Sequence, residues 1–421
     1  MKQIYTPEGM QDILIEEGFN MRNMEADIRK HLRMCGYYEI ITPTLEYYDV
    51  FTSGPNTMDS EMMYKLTDKN GQILVLRPDL TIPAARVFTT KIVGDKAMPK
   101  KLFYIGNVFR FNEVGGGKTN EFTQAGVEIM GQDGCLVDAE VIAKAIEISL
   151  LAGLENFQID IGHSEFFIGI MEECGFSDKE TEETRLLVEK KDFAGLELML
   201  KTKGVNDNVG ELVLSIPQLF GDATILDKAA LYAHNEKSLN AIETLREILR
   251  ILDDYKLSEY VSIDLGMVGS LKYYTGTIFK GYTYGVGFPY LGGGRYDTLT
   301  GNFGKKIPAS GFSLGINILM KALIRQGMCG LAPSCDAFVG FVRKYRKEAI
   351  EISQFFRENN ISTHLDISEY DEGEAVEFAR NEGFKLFLYV REDGKVRYIN
   401  FNNGVDRIID YQDIIEWGNA L

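Results

Sequence analysis

Several polar and charged residues interrupt stretches that are otherwise apolar, which makes them candidates for a small-molecule pocket. They are Arg77, Asp79, Thr81, Arg110, Gln124, Glu128, Tyr273 and Tyr274. Gln124 and Glu128 are four positions apart on one predicted strand, so their side chains point to the same face. An amide and a carboxylate on one face can bind a small cation, such as the ammonium or the imidazole of an amino acid. The alternative is that these residues form a solvated face of a sheet.

Two glycine-rich segments and the histidines do not predict further chemistry. The segment GGGKTN (115–120) is not a P-loop, because Asn112 stands where that motif needs a glycine. The segment LGGGRYD (291–297) lacks the setting of a dinucleotide fingerprint, so its glycines are expected to let backbone approach backbone or a ligand. The histidines have no metal-ligand spacing, and we predict structural or surface roles and neither a metal site nor a cofactor. They are His31, His163, His234 and His364.

Length and composition predict an ordinary folded protein with two domains. The 421 residues exceed the usual size of one hydrophobic core, and 45% are hydrophobic and 25% charged. The five scattered cysteines are predicted to be reduced core thiols. The N-terminus lacks a signal-peptide pattern and no apolar run reaches a membrane span, so we expect a cytoplasmic protein without a membrane segment. The formal net charge of −17 opposes nucleic-acid binding.

The elements that position the polar residues are predicted to be an antiparallel sheet with helices. Residues 20–36 have apolar side chains at helical spacing, and residues 38–45 are predicted to form an edge strand that contains a proline. Ser177 and Glu180 form a capping box that begins a helical insertion over about 177–256. Further strands are predicted at 72–77, 102–111, 121–130, 157–161, 260–268 and 277–284, and helices at 136–154 and 315–325.

The region after a linker at 327–333 is predicted to be a small α/β domain. Its strands are predicted at 336–341, 361–365 and 385–390, separated by helices, with a hairpin that turns at Asp393 and Gly394.

These segments occur in the order found in histidyl-tRNA synthetases, and the chain resembles that class II family over nearly its whole length. LRPDLTIPAAR (76–86) resembles the amino-acid-binding stretch, and FYIGNVFRFNE (103–113) with EFTQAGVEIMG (121–131) resembles motif 2, whose arginine is matched by Arg110. GMVGSLKYYTGTIF (266–279) resembles the histidine-specific signature. LGGGRYD and PASGFSLGINIL (308–319) resemble the glycine-rich segment and motif 3.

The resemblance implies an α+β fold. It comprises a class II aminoacyl-tRNA synthetase-like core with an antiparallel sheet over residues 1–327, interrupted by the helical insertion. A small α/β domain over 335–421 is similar to an anticodon-binding domain.

Three departures from the synthetase pattern imply that aminoacylation has been lost. Synthetase motif 3 ends with an arginine that holds the ATP phosphates, whereas Asn317 and Ile318 stand at the aligned positions. The catalytic arginine of the histidine signature aligns with Gly269. Removing one preorganised positive group typically costs about 10² to 10³ in rate, so the loss of two predicts negligible activity.

The positions at which the synthetases hold their amino acid are largely retained. The resemblance assigns histidine binding to Asp79, Thr81, Arg110, Gln124, Glu128, Tyr273, Tyr274 and Tyr296. This selective loss, with RPDLT in place of RPEGT, resembles the regulatory subunits of ATP phosphoribosyltransferase. Gly269 and Lys272 also alter the histidine signature, which leaves recognition of another ligand as an alternative.

That second resemblance implies a regulatory subunit with no catalytic residues of its own. It would be required by a short-form ATP phosphoribosyltransferase catalytic subunit and would mediate feedback by histidine at the first step of histidine biosynthesis. The expected assembly is a homodimer within a hetero-oligomer. The alternatives are a divergent histidine–tRNA ligase and a stand-alone histidine-sensing protein.

The charge of the C-terminal region argues against tRNA as a partner. Residues 336–421 contain 11 Lys and Arg against 17 Asp and Glu, a net charge of −6. An acidic surface is expected to repel a polyanion. The alternative is that this charge serves solubility and that a local basic patch survives within it.

Overall fold

The computed structural model describes residues 5–54, 58–94, 98–111, 119–268, 274–330 and 335–417. The chain divides into two compact units, Met1–Gly330 and Leu331–Leu421. Some residues singled out in the sequence lie outside the described residues, namely Asn112, most of the 115–120 segment, Gly269, Lys272 and Tyr273.

The first unit combines a sheet, an inserted set of helices and a small second sheet. Its helices are α1 Ile15–Met34, α2 Asp49–Thr52, α3 Thr81–Val87, α4 Cys135–Leu151, α5 Ser164–Glu173, α6 Asp178–Glu189, α7 Phe193–Lys203, α8 Asp207–Ser215, α9 Thr224–Tyr232, α10 Glu236–Asp254 and α11 Ile316–Arg325. Its strands are β1 Tyr38–Glu39, β2 Leu45–Tyr47, β3 Lys65–Thr67, β4 Ile73–Leu76, β5 Lys100–Phe109, β6 Glu121–Met130, β7 Phe157–His163, β8 Phe220–Gly221, β9 Val261–Asp264, β10 Thr277–Thr283, β11 Leu291–Arg295 and β12 Ala309–Gly315.

The large sheet has the strand order β1-β5-β6-β12-β11-β10-β7-β9-β8. Its pairs are antiparallel except β1 with β5 and β7 with β9, which are parallel. Strand β6 shows how the sheet presents different side chains on its two faces, since side chains alternate along a strand. Ala125, Val127 and Ile129 are buried in the hydrophobic core that contains residues of α4. Gln124 and Glu128 therefore point to the opposite face.

The predicted helical insertion is present between β7 and β9 and includes α6 to α10. The capping box of Ser177 and Glu180 begins α6, as predicted. Helix α10 buries one apolar stripe, which includes Ile242, Leu245 and Leu252. A two-residue strand, β8, interrupts the helices and pairs with β9 at the edge of the large sheet. No pattern in the sequence indicated this short strand.

One strand prediction in the first unit is wrong, and two central strands were missed. The edge strand predicted at 38–45 is two short strands in different sheets, because Pro43 lies between them and has no N–H to donate to a ladder. The central strands β11 and β12 were not predicted at all. Four glycines, at 292–294 and 311, remove the alternation of apolar and polar side chains by which strands are recognised.

The second unit contains a five-stranded sheet in the order β14-β13-β15-β16-β17. The predicted hairpin joins β15 to β16, and Gly394 has a φ of +77° in its turn, a value that favours glycine. The fifth strand and the last helix were not predicted. The elements are β13 Ala337–Phe341, α12 Arg346–Glu358, β14 Thr363–Leu365, α13 Glu372–Asn381, β15 Leu386–Val390, β16 Val396–Asn400, β17 Val405–Ile409 and α14 Tyr411–Trp417.

The five cysteines are free, as predicted, but each is partly exposed rather than fully within a core. Among the described residues, no helix combines the length and the apolar character that crossing a bilayer requires.

Candidate functional site

The centre of the candidate site is the carboxylate of Glu128 on β6, which is fully buried. The Tyr104 hydroxyl donates a hydrogen bond of 2.8 Å to Glu128 Oε1, and the Tyr296 hydroxyl donates to Glu128 Oε2. Burial raises the pKa of the Glu128 carboxyl to about 8, although both tyrosine hydrogen bonds favour the charged form. A buried carboxyl group with a raised pKa in a polar site is a candidate functional group.

Glycines make the room for this carboxylate. In the sheet register Gly311 of β12 lies opposite Glu128, and Gly294 of β11 lies opposite Gly311. A Cβ atom at Gly311 would lie 1.7 Å from Glu128 Oε2, and one at Gly126 would lie 2.6 Å from the Tyr104 hydroxyl oxygen. No larger residue fits at these two positions. The expectation that the glycine-rich segment allows close approach is confirmed at Gly294, whose Cβ would lie 2.4 Å from the Thr277 carbonyl oxygen.

A second polar wall comes from the loop that follows β4. The Thr81 hydroxyl lies 2.9 Å from the Tyr104 hydroxyl, and the Thr81 N–H donates to Asp79 Oδ1 at 2.7 Å. The Leu80 N–H donates to Gln124 Oε1 at 3.0 Å, which fixes the loop to β6. Burial raises the pKa of the Asp79 carboxyl, and the charge of Arg110 opposes that increase. The loop therefore places a second carboxyl group near Glu128.

The two arginines of the predicted site have different surroundings. The Arg77 guanidinium donates to the carbonyl oxygens of Thr42 at 2.6 Å and Asn107 at 2.8 Å, so it supports the backbone. Arg110 donates to the carbonyl of Pro78, and its guanidinium lies 5.6 Å from the centre of the Phe122 ring. Arg110 also lines a cavity.

The interpretation of these residues as a solvated sheet face is wrong, because most of them are buried. The buried ones are Arg77, Asp79, Thr81, Gln124, Glu128 and Tyr296, whereas Arg110 and Tyr274 are half-buried. The idea that they all interrupt strands is also wrong. Gln124 and Glu128 lie within a strand, Asp79 is in a loop and Thr81 begins α3. Burial raises the pKa of the Tyr274 hydroxyl, and the charges of Glu128 and Asp79 raise it further, which places that ring in the same site.

A cavity of about 290 Å³ lies next to this cluster on the same face of the sheet. Its lining includes Gln124 and three cations, Arg110, Lys280 and Lys321. Among the described residues that line it there is no aspartate or glutamate. A cavity with this lining attracts an anionic group.

Comparisons with known proteins show the family of this chain. A family model described as histidyl-tRNA synthetase matches residues 9–319. An ATP phosphoribosyltransferase regulatory subunit of Acetivibrio thermocellus is 50% identical over 402 residues, which are 96% of each chain. A protein of the same name from Ruminiclostridium cellulolyticum is 44% identical over 98% of each chain. The chain belongs to the family of ATP phosphoribosyltransferase regulatory subunits.

Solved structures show the fold of this family member. The crystal structure of an ATP phosphoribosyltransferase regulatory subunit/histidyl-tRNA synthetase from Bacillus halodurans has a TM-score of 0.81 at 30% identity, and the match covers 91% of this chain and 97% of that chain. A Nostoc histidyl-tRNA synthetase has a TM-score of 0.83 over the full length of both chains at 20% identity. The fold is therefore α+β and similar to class II aminoacyl-tRNA synthetases, as the sequence resemblance implied.

In this member of the family, Asn317 has a structural partner. Its Oδ1 accepts a 2.7 Å hydrogen bond from the N–H of Thr123. Thr123 lies just beyond the part of β6 that pairs with β12, because that pairing ends where Gly315 meets Gln124. The asparagine side chain thus replaces a missing strand partner. It is buried, and it lines the same cavity as its neighbour Ile318.

Replacing Asn317 with alanine is expected to lower the free energy of unfolding by about 1–3 kcal/mol, because the buried Thr123 N–H would lose its acceptor. Asn317→Asp keeps an acceptor oxygen and serves as the matched control, with a smaller expected loss. Urea unfolding followed by circular dichroism measures both. Equal losses in the two variants would contradict the role assigned to this hydrogen bond.

Sequence reasoning missed three contributors to the site. Tyr104, which connects Thr81 to Glu128, is one aromatic residue among several in an apolar strand, and nothing in its surroundings distinguishes it. Gly126 and Gly311 gave a weak indication of the site. Glycine is depleted in strand interiors and often marks a place where a ligand or another chain segment comes close to the backbone.

Proposed function

We propose that this protein is a non-catalytic regulatory subunit of ATP phosphoribosyltransferase that senses histidine. A short-form catalytic subunit would require it for activity, and histidine bound to it would inhibit the first step of histidine biosynthesis. The observation that carries the proposal is the buried Glu128 carboxylate, held by two tyrosines above glycines, beside a cationic cavity.

The arrangement suits the groups of one amino acid. An imidazole N–H would donate to Glu128, and an ammonium group would bind near Asp79, with the Gln124 amide oxygen already held by Leu80 N–H. The carboxylate would enter the cavity lined by Arg110, because an arginine binds carboxylates with two parallel hydrogen bonds. Tyr274 and Tyr296 would enclose the ring, and Tyr273 is proposed to join them.

The same structure supports the absence of aminoacylation activity. The side chain of Asn317 is hydrogen-bonded to the backbone of β6, and Ile318 contributes an apolar side chain to the cavity lining. Neither can replace a phosphate-binding arginine. With glycine at position 269, the positive charge of the catalytic arginine in the histidine signature would also be absent. We therefore propose that phosphoribosyl transfer takes place on the partner chain, with no cofactor bound here.

Feedback requires that histidine bind one state of the assembly more tightly than another. A ligand shifts an equilibrium only by its difference in affinity for the two states, and the coupling is reciprocal. We propose that catalytic-subunit binding and histidine binding are linked in this way.

We also propose that the protein forms a homodimer within a hetero-oligomer in the cytoplasm. Apolar side chains around the edge strand β1 are exposed, among them Tyr38 at 71%, Ile41 at 90% and Tyr47 at 53%. Exposed apolar side chains of this kind are candidates for a protein contact, and the occupant we propose is a second copy. The net charge of −6 over residues 336–421 opposes tRNA as a partner.

The test is phosphoribosyl-ATP formation by a short catalytic subunit, with and without this chain and then with added histidine. Activity is expected to appear only when both chains are present and to fall as histidine is added. Light scattering on the same samples reports the assembly, and a monomer in the absence of the catalytic subunit would contradict the homodimer.

Other outcomes identify the competing functions. Histidine-dependent exchange of pyrophosphate with ATP by this chain alone would show an active ligase and would overturn the proposal. Histidine binding without any effect on the catalytic subunit would instead indicate a stand-alone sensor.

A further inference from the structure

Three side chains of different chemistry meet at the end of α1, outside the site described above. They are the imidazole of His31, the thiol of Cys35 and the carboxylate of Glu147. His31 and Cys35 are four residues apart on one helical face, and Glu147 comes from α4, so the cluster joins two helices that are distant in sequence. All three residues are partly buried.

The distances within this cluster are close to those of a metal site. The Cys35 Sγ lies 3.7 Å from His31 Nε2, which lies 2.8 Å from Glu147 Oε2. The three ligand atoms are all within 4.8 Å of one another. Around tetrahedral zinc, a sulfur and a nitrogen ligand are about 3.6 Å apart and a nitrogen and an oxygen about 3.3 Å, from bond lengths of about 2.3 and 2.1 Å. The sulfur–nitrogen distance therefore matches that of a zinc site, and the nitrogen–oxygen distance would have to lengthen by about half an ångström.

We propose that His31, Cys35 and Glu147 bind one Zn²⁺ ion, with water as the fourth ligand. Nitrogen, thiolate sulfur and carboxylate oxygen form a donor set that zinc accepts. Binding requires a neutral imidazole and a thiolate, so it releases the thiol proton to solvent and strengthens as pH rises.

Lys144 competes with the metal for Glu147. Its ammonium donates to both carboxylate oxygens of Glu147, at 2.6 and 2.8 Å. Glu140 lies one turn earlier on α4 and accepts hydrogen bonds from Lys101 at 2.8 Å and from Tyr255 at 2.7 Å. Burial lowers the pKa of Lys144, but the hydrogen bond to Glu147 and the charge of Glu140 outweigh it and raise that pKa. The ring of Tyr255 is also 5.8 Å from this ammonium. Metal binding would therefore displace the Lys144 ammonium from Glu147.

The site would fasten the end of α1 to α4, directly before β1 begins at Tyr38. A bound metal ion would hold the chain in place where it leaves α1 and approaches the exposed apolar side chains around β1. The inference does not depend on the proposed function, since it concerns a different part of the first unit.

The experiment is a titration of the full-length, chelator-treated protein with Co²⁺. The absorption spectrum of bound Co²⁺ depends on the atoms that coordinate it. Wild type is expected to bind one Co²⁺ with a sulfur-to-cobalt charge-transfer band, and Zn²⁺ is expected to abolish that band by displacement. Cys35→Ser should lose the band. Loss of an outer-shell partner already weakens metal binding by about 10- to 100-fold, so loss of this ligand should cost at least as much.

Two further variants make the result specific. Cys329→Ser removes another partly exposed thiol outside the cluster and should keep the band. Lys144→Gln removes the competing ammonium and should bind Co²⁺ more tightly than wild type. Absence of a thiolate band in wild type, or a band that persists in Cys35→Ser, would overturn the proposal, with circular dichroism showing that each variant is folded.

Discussion

Replacing Glu128 with glutamine is expected to weaken histidine binding by at least about 30-fold, as measured by calorimetry at pH 8. Removing one partner of a buried, hydrogen-bonded charged contact costs about 2–5 kcal/mol, and 2 kcal/mol corresponds to about 30-fold. Glutamine has the same shape and can still bond to the hydroxyls of Tyr104 and Tyr296, so the pocket should keep its form.

The matched control is Glu25→Gln, which changes an equally buried carboxylate of α1 that pairs with Arg22 and Arg29. Its histidine affinity should equal that of wild type. If both variants bind histidine as wild type does, Glu128 is not a ligand-binding residue.

The pH dependence of the same comparison gives a second result. Because the pKa of Glu128 is raised to about 8, its carboxyl is mostly protonated at neutral pH and becomes an acceptor for a ligand N–H as pH rises. The ratio of the dissociation constants of the Glu128→Gln variant and the wild type should therefore grow from pH 6.5 to 8.5. Titration of histidine itself cancels in that ratio. A raised carboxyl pKa also means that Glu128 favours folding most below its unfolded pKa and that this contribution is lost as pH rises through 8.

Replacing Asp138 with alanine is expected to lower the free energy of unfolding of the first unit by about 3–5 kcal/mol, because it would leave the buried Arg295 guanidinium without its main partner. Asp138 accepts hydrogen bonds from Arg295 Nη2 at 2.7 Å and from the Thr277 hydroxyl at 2.8 Å. Arg295 ends β11 and precedes Tyr296, so the loss should also disturb the pocket.

Asp133 provides the matched control, since it binds the same guanidinium at 2.9 Å from a side chain that is 70% exposed. Exposed ion pairs contribute about 0–1 kcal/mol, so Asp133→Ala should change stability little. Circular dichroism is the appropriate signal, because the one tryptophan, Trp417, belongs to the second unit. Equal losses in the two variants would show that burial does not decide the contribution of this network.

Features that depend on neighbours along the chain could be predicted from the sequence. The period of a strand was enough to put Gln124 and Glu128 on one face, and a capping box was enough to start α6 at the correct residue. The hairpin at Asp393 and Gly394 followed from turn chemistry in the same way. In each case the physical cause acts within a few residues, so the local pattern contains it.

Burial of the site could not be predicted, because it depends on which strands become neighbours. Strands β11 and β12 have glycines where apolar residues would have marked them, and one of these, Gly311, is required by Glu128 of a third strand. The sequence suggested Glu128 by its polarity, by its spacing from Gln124 and by the family resemblance, and none of these indicates burial. Only the sheet register showed that Gly311 lies opposite it and that two tyrosines, from distant segments, share its carboxylate.

The contacts that change the interpretation of individual residues also depend on the tertiary structure. In the sequence, Asn317 indicated only that the motif 3 arginine is absent. In the structure it accepts a hydrogen bond from the N–H of Thr123, which is 194 positions away. His31 showed no metal-ligand spacing, yet folding brings it to Glu147, 116 positions along the chain. Sequence patterns therefore predicted many of the helices and strands, the candidate pocket residues and the family resemblance. The tertiary structure alone decided which side chains meet, because helix packing and strand register, rather than separation along the chain, set the distances between them.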